Sequence, residues 1–188
     1  MQQQLEEVGD DVKKKHSLLT KILELQEKEK VENQEKEKVW TYEMFVDWAR
    51  DEIIVDEPEK WLKTAIDLND LERPTVKSGI LIAFDNKEFK RIPPGLICRE
   101  VFLRNTQTEE ISIGFECHKL VLDNTQVKDI PERFKCDFLS MYGCKLLNVA
   151  DDIEIGNLSI SKEHLSEVII SKLIKLEEAG KIGEIIWK

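Results

Sequence analysis

Positive charge, aromatic side chains and long apolar runs are all scarce in this sequence. Its 188 residues carry 28 Lys+Arg against 38 Asp+Glu, a formal net charge of −10, and 7% are aromatic. Phosphate backbones are held by clustered Lys and Arg, so no nucleic-acid partner is expected. No apolar run approaches the roughly 18 residues that span a bilayer. The stretch Met1-Gln2-Gln3-Gln4-Leu5-Glu6-Glu7 lacks a signal-peptide pattern, so no membrane partner is expected either. The four cysteines include no CxxC pair. Together these absences point to a soluble chain of the reducing cytoplasm. Neither a G-x-x-x-x-G-K-[ST] phosphate loop nor an H-E-x-x-H zinc helix occurs. His16, His118 and His164 are scattered, and no nucleophile–base arrangement stands out. An enzyme is not expected, and no catalytic residue, metal or cofactor is assigned.

What is present is a repeat. Cys98, Cys117 and Cys136 are each 19 apart, and the same step defines units starting at Gly79, Cys98, Cys117, Cys136 and Ile155. The fourth column reads Ile82, Val101, Leu120, Leu139, Leu158, and the sixth Phe84, Leu103, Leu122, Met141, Ile160. The eleventh reads Phe89, Thr108, Val127, Leu146, Leu165, and the fourteenth Ile92, Ile111, Ile130, Val149, Val168. The eighteenth reads Leu96, Phe115, Phe134, Ile153, then fails at Lys172. Over the first four units these columns and the first are hydrophobic at 22 of 24 places, and a 41% background predicts about 10.

Within each unit the fourth and sixth positions alternate with more polar ones, as in a short strand with one buried face. Turn chemistry follows at Asp85-Asn86, Arg104-Asn105, Asp123-Asn124 and Tyr142-Gly143. Ile92-Pro93-Pro94-Gly95 and Ile130-Pro131 then mark an extended return. Such a unit cannot bury its own apolar stripe, so copies must stack under a parallel sheet. The expected class is an α/β solenoid.

The third unit, Cys117-x-x-Leu120-x-Leu122-x-x-Thr125-x-Val127 with Ile130-Pro131 behind it, resembles a leucine-rich repeat of the short bacterial and phage-associated type. The resemblance covers about residues 79–160. It implies a short stack with a parallel sheet and is uninformative about activity. The family commonly has Asn at the ninth position, bonding the backbone of adjoining turns. Here that column reads Lys87, Thr106, Thr125, Cys144 and Glu163, so the resemblance implies a ladder through the middle units only.

The open ends of the stack need covers. Residues 41–75 are expected to form a helical N-terminal cap: Phe45, Trp48 and Ala49 share one helix face, and Pro58 starts a second helix that buries Trp61, Leu62, Ala65 and Ile66. Trp40, Trp48 and Trp61 read as core side chains. Residues 76–161 form the solenoid and 162–188 the C-terminal cap and tail. There Ser161 caps a helix whose stripe is Leu165, Val168, Ile169, Leu173, Ile174 and Leu176, with Gly180 as its stop. Ile182–Trp187 is apolar enough to dock as a short strand. Residues 1–40 are a charged helical arm: Leu5, Val8, Val12, Leu19 and Ile22 fall on heptad positions, a marginal coiled coil through which copies could associate. Disorder of that arm in isolation is the alternative.

The cysteine column reads as small buried side chains rather than a three-thiolate metal site. His118 follows Cys117 but points to the other face. That outer face is the informative surface. It should display Glu100, Phe102 and Arg104, then Lys119, Val121 and Asp123, then Phe138, Ser140 and Tyr142, with Leu81, Ala83, Asp85, Asn157, Ser159 and Ser161 on the outer strands. Phe102, Arg104, Val121, Asp123, Phe138 and Tyr142 are the candidate partner-binding residues, because aromatic and Arg side chains among charges are what protein interfaces use. Alternatively the arm covers this face, or strand propensity alone selects those residues. The leading expectation is a non-catalytic protein-interaction module. The alternatives are a structural or accessory subunit of a larger assembly with an oligomerising arm, and a small metal-dependent enzyme using the cysteine column.

Overall fold

The computed structural model describes residues 39–188 and, before them, Lys21. The chain divides into two compact units, Met1–Lys38 and Val39–Lys188, and the second holds all the elements that follow. The heptad positions Leu5 to Ile22, the arm and its expected role in self-association lie outside the described residues.

In chain order the elements are helix α1 (Tyr42–Trp48), a π-type turn (Ala49–Ile53), α2 (Pro58–Ala65), and two short antiparallel strands, β1 (Ile66–Asp67) and β2 (Thr75–Val76). The stack follows, with β3 (Ile80–Ile82), β4 (Glu100–Phe102), β5 (Glu116–Val121), β6 (Asp129–Ile130), β7 (Lys135–Met141), β8 (Asn148–Val149) and β9 (Glu154–Ile160). A 3₁₀ turn (Lys162–His164), α3 (Glu167–Glu178) and β10 (Ile182–Trp187) complete the chain. Strands β3, β4, β5, β7, β9 and β10 lie side by side in that order, every neighbouring pair parallel. The result is a solenoid of about four turns. On the opposite wall β6 and β8 form a second, shorter parallel ladder.

The nineteen-residue step is the step between coils. Val101, Leu120, Leu139 and Leu158 are direct register partners, and the Leu103 and Leu122 amides donate to Val121 and Ser140 carbonyls on the next strand. Leu103, Leu122 and Met141 are buried, as are Leu96, Phe115, Phe134 and Ile153 of the eighteenth column. Phe115 and Phe134 stack with centroids 6.4 Å apart. A bulge explains why columns one and four both face inward despite their odd spacing. The amides of His118 and Lys119 both donate to Arg99 O, at 2.9 and 3.0 Å, and the register skips from Cys117↔Cys136 to Lys119↔Phe138. At the same level Gly156 lies against Asp137: a Cβ there would come within 2.5 Å of Asp137 O.

The corners form a second column. Asp85, Asn105, Asn124 and Gly143 all have positive φ, from 57° to 75°. Asn105 Nδ2 donates to Asp85 Oδ1 (2.8 Å) and Asn124 Nδ2 to Asn105 Oδ1 (3.0 Å). A Cβ at Gly143 would sit 2.3 Å from Asn124 Oδ1, so the ladder ends where side-chain space ends. One step inward, Thr106 donates to Leu103 O (2.8 Å) and Cys144 Sγ to Leu122 O (3.0 Å). Cys144 thus bonds the backbone of the adjoining coil, as expected of the ninth column, whereas Thr106 bonds its own coil.

The first coil departs from the expected phase. Leu81, not Ile82, pairs with Val101, and Ile82 pairs with Phe102. Leu81 is 5% exposed and Ile82 59%; Ala83 is buried and Phe84 is 50% exposed. The period here is twenty, with the extra residue at Lys87-Glu88 after the turn, because Phe89, Ile92 and Leu96 are back in phase and buried. Asn86 therefore occupies the ninth place, which an unbroken nineteen-residue step would give to Lys87, and its Nδ2 donates to Glu52 O (2.6 Å). Leu81 and Ala83 are accordingly inner-face residues, a correction to the expected outer face.

Against this coil pack α1 and the π-type turn. Phe45, Trp48, Ala49 and Leu62 are buried. Trp48 meets Phe89 edge-on at 6.0 Å and its Nε1 donates to Arg91 O (3.2 Å). Glu52 is buried too: its Oε2 accepts from the amides of Lys90 (2.8 Å) and Arg91 (3.0 Å), and its Oε1 from Arg91 Nε (3.0 Å). At the other end α3 packs on β8 and β10 through Ile169, Leu173 and Leu176. Val168 and Ile174 of the expected stripe are exposed. Ser161 heads only the 3₁₀ turn, while Ser166 caps α3, accepting from Ile169 N (3.3 Å). Gly180, at φ 70°, ends the helix, and Ile182–Trp187 adds the last parallel strand.

The shifted phase is open to measurement. Leu81→Ala should lower unfolding free energy in urea by about 2–3 kcal/mol and Ile82→Ala by under about 0.5 kcal/mol. The reverse order would restore the uninterrupted nineteen-residue register.

Candidate functional site

The outer face of the sheet is a grid of three rows, two crossing all six strands and the upper one crossing five. The bulge sets its lower row, Ile80, Glu100, Lys119, Phe138, Asn157 and Glu184, and alternation sets the middle row, Ile82, Phe102, Val121, Ser140, Ser159 and Ile186. The upper row follows from the hydrogen bonds just past the strands and runs Phe84, Arg104, Asp123, Tyr142, Ser161.

An aromatic run crosses the N-terminal half of this grid. Phe84 and Phe102 meet edge-on with centroids 5.8 Å apart. Lys119 Nζ lies over both Phe102 (5.3 Å) and Phe138 (5.6 Å), a cation held between two rings. Above it runs a polar network. Asp123 is only 8% exposed and accepts from Arg104 Nη2 (3.0 Å), Ser140 Oγ (2.6 Å) and the Tyr142 amide (3.0 Å). A carboxylate with three donors holds its neighbours in fixed positions. The Tyr142 ring, 45% exposed, stands beside it.

All six candidate residues therefore share one face, with unequal exposure. Arg104 and Tyr142 are exposed, Phe102 and Phe138 half-buried, and Val121 and Asp123 buried. The last two are corrected from display to support: Val121 packs between Phe102 and Ser140 in the register, and Asp123 holds Arg104. Ser159 and Ser161 of the expected outer strands are buried as well, and Ser159 Oγ has no hydrogen-bond partner among the described residues. Ile82 and Phe84, core positions in an unbroken nineteen-residue register, belong to this face. The sequence hides this shift, because Asn86, Asn105 and Asn124 keep a nineteen-residue step whereas the left-handed corners are Asp85, Asn105 and Asn124.

Elsewhere, His118 points outward as expected and meets Asp137 across the bulge, Nδ1 to Oδ2 2.7 Å, with both side chains mostly exposed. On the inner side Cys117 and Cys136 meet, Sγ to Sγ 3.5 Å. Cys98 Sγ lies near the carbonyls of Glu100 (3.2 Å) and Gly79 (3.4 Å), as Cys136 Sγ lies near those of Phe138 (3.0 Å) and His118 (3.7 Å). Burial pushes the thiols of Cys98 and Cys144 above the ordinary range. Among the described residues no three His, Cys, Asp or Glu side chains are grouped so as to hold a metal ion, so the cysteine column does not assemble a three-thiolate centre. Among the same residues no helix is long and apolar enough to cross a membrane.

No family model, curated protein or solved structure matches the chain.

Asp123 and Arg104 should respond differently to truncation. Asp123→Ala leaves the Ser140 hydroxyl and Tyr142 amide without their acceptor and should lower stability by about 1–3 kcal/mol. Arg104→Ala removes one partly solvated pair and should lower it by less than about 1 kcal/mol. Denaturant titration of the two variants reads the difference, and equal losses would show that the carboxylate does not organise the network.

Proposed function

We propose that this chain is a non-catalytic protein-interaction module of the leucine-rich-repeat kind, which binds a partner protein through the outer face of its sheet. In this reading α1, α2 and α3 act as caps that close the two ends of the stack. The observation that carries it is the outward aromatic run Phe84–Phe102–Phe138 around Lys119, bordered by Arg104 and Tyr142, on strands fixed by parallel pairing. Stacking fixes the inner columns and leaves the outer ones unconstrained, so exposed Ile82, Phe84 and Tyr142 are not explained by folding. Aromatic and Arg side chains bury large areas at small entropic cost, and here their backbones are already rigid. Four thiols without a disulfide fit the cytoplasmic location expected from the sequence.

The test is capture of a partner from the native source by the full-length protein. Wild type should retain a partner saturably, and Phe102→Ala and Tyr142→Ala should each weaken its binding at least about tenfold. Val168→Ala, on the exposed side of α3, should leave it unchanged. Capture that is insensitive to Phe102 and Tyr142 would move the binding site off the sheet.

A further inference from the structure

Two inner-column thiols face each other beside an irregularity of the sheet. Cys117 and Cys136 are register partners on β5 and β7, with their sulfurs 3.5 Å apart. Cys136 is a buried residue and Cys117 a half-buried one. Paired strands lie about 4.8 Å apart, inside the Cα separation of roughly 4.4–6.8 Å that a disulfide spans. Joining the sulfurs at about 2.05 Å needs side-chain rotation and some backbone approach. The bulge at His118, in the residue after Cys117, gives the backbone room to adjust. Cys98 Sγ lies near the Gly79 and Glu100 carbonyls, as Cys136 Sγ lies near those of His118 and Phe138, but the sulfur–sulfur contact is between Cys117 and Cys136.

We propose that Cys117 and Cys136 form an oxidisable dithiol, which a small-molecule disulfide of the glutathione type converts reversibly into a disulfide between neighbouring coils. The Cys117 thiol donates to the Cys136 sulfur, which holds Cys117 above the ordinary thiol range and Cys136 below it, so the first proton leaves from Cys136. The Cys117 proton passes along that hydrogen bond as its sulfur attacks the incoming disulfide. The oxidant's S–S bond breaks, a mixed disulfide forms on Cys117 and one small thiol departs. Cys136 then gives up its proton and attacks Cys117 Sγ, expelling the second small thiol. Two electrons and two protons leave the cysteines, and the oxidant becomes two thiols. Excess thiol reverses the same two exchanges, so the bond is a reversible state rather than a permanent staple. It ties together the strands that carry Lys119 and Phe138 two residues further on.

The experiment uses the full-length protein with excess oxidised glutathione under native conditions, followed by denaturation, alkylation and mass spectrometry. The expected product has lost two hydrogen atoms, has two of its four cysteines protected from alkylation, and yields a linked Cys117–Cys136 peptide pair that dithiothreitol separates. Cys98→Ser should behave identically, and Cys136→Ser should stop at a glutathione adduct on Cys117. Four alkylated cysteines, a persistent adduct on the unaltered protein, or a Cys98–Cys117 link would each overturn the proposal.

Discussion

An apolar stripe that only another copy of itself can keep dry is the constraint behind every other feature of this fold. One coil is too thin to hide Leu103 or Phe115 from water; with a coil on each side both are fully buried. Fully burying such a side chain is worth about 1.5–3 kcal/mol. Equivalent residues must then recur at one spacing and one height, and this discipline extends to the backbone. The bulge recurs at Arg99 and His118, and the left-handed corner at Asp85, Asn105, Asn124 and Gly143. Each irregularity is tolerated because the next coil repeats it. A bulge in one strand alone would spoil the pairing of two neighbours.

Stacking solves the middle of the solenoid and leaves backbone donors over at its ends, where side chains from outside the repeat meet them. At the first coil a buried carboxylate does the work: Glu52 takes the Lys90 and Arg91 amides, which have no earlier coil to bond. The Trp48 indole covers Phe89 alongside it. At the last coil the chain continues the pattern, replacing the extended return with α3 and adding β10 as one more parallel strand. Glu177 on α3 accepts from the Ile185 amide at 2.8 Å, so a side chain occupies part of the edge that another strand would otherwise pair with. Both ends thus use a glutamate to satisfy backbone donors that the repeat leaves over.

The repeat period was legible in the sequence because stacking imposes one spacing on six columns at once, and twenty-two coincidences survive two misfits. Helix positions in the first hundred residues were legible from Pro58 and from the spacing of Phe45, Trp48 and Ala49. The single insertion at Lys87-Glu88 was hidden because both phases look hydrophobic: Leu81 and Ile82 are equally apolar, and Phe84 suits a core as well as Ala83. The corner residues reinforced the nineteen-residue phase, since Asn86, Asn105 and Asn124 keep that step while the left-handed positions are Asp85, Asn105 and Asn124. Glu52 was illegible for another reason. Nothing local distinguishes a glutamate that binds two amides almost forty residues away from its solvated neighbours Asp51 and Asp56. On the candidate face the residue types were legible, whereas the burial of Val121 and Asp123 depends on cross-strand neighbours that one strand does not reveal.

The two sides of the sheet are under different demands. Inward positions answer to the coil above and the coil below, so their identities record the fold. Outward positions have lateral neighbours and need little more than strand propensity and solubility. A surface shaped by solubility alone would put charge where Ile82, Phe84 and Tyr142 stand exposed. It would also have no use for a carboxylate as tightly held as Asp123, whose three donors fix Arg104 and the backbone of Tyr142 beside the aromatic run. Rigid placement of an arginine and a tyrosine lowers the entropy lost when another surface meets them. The same register that dries the interior therefore also fixes the arrangement of the outer face.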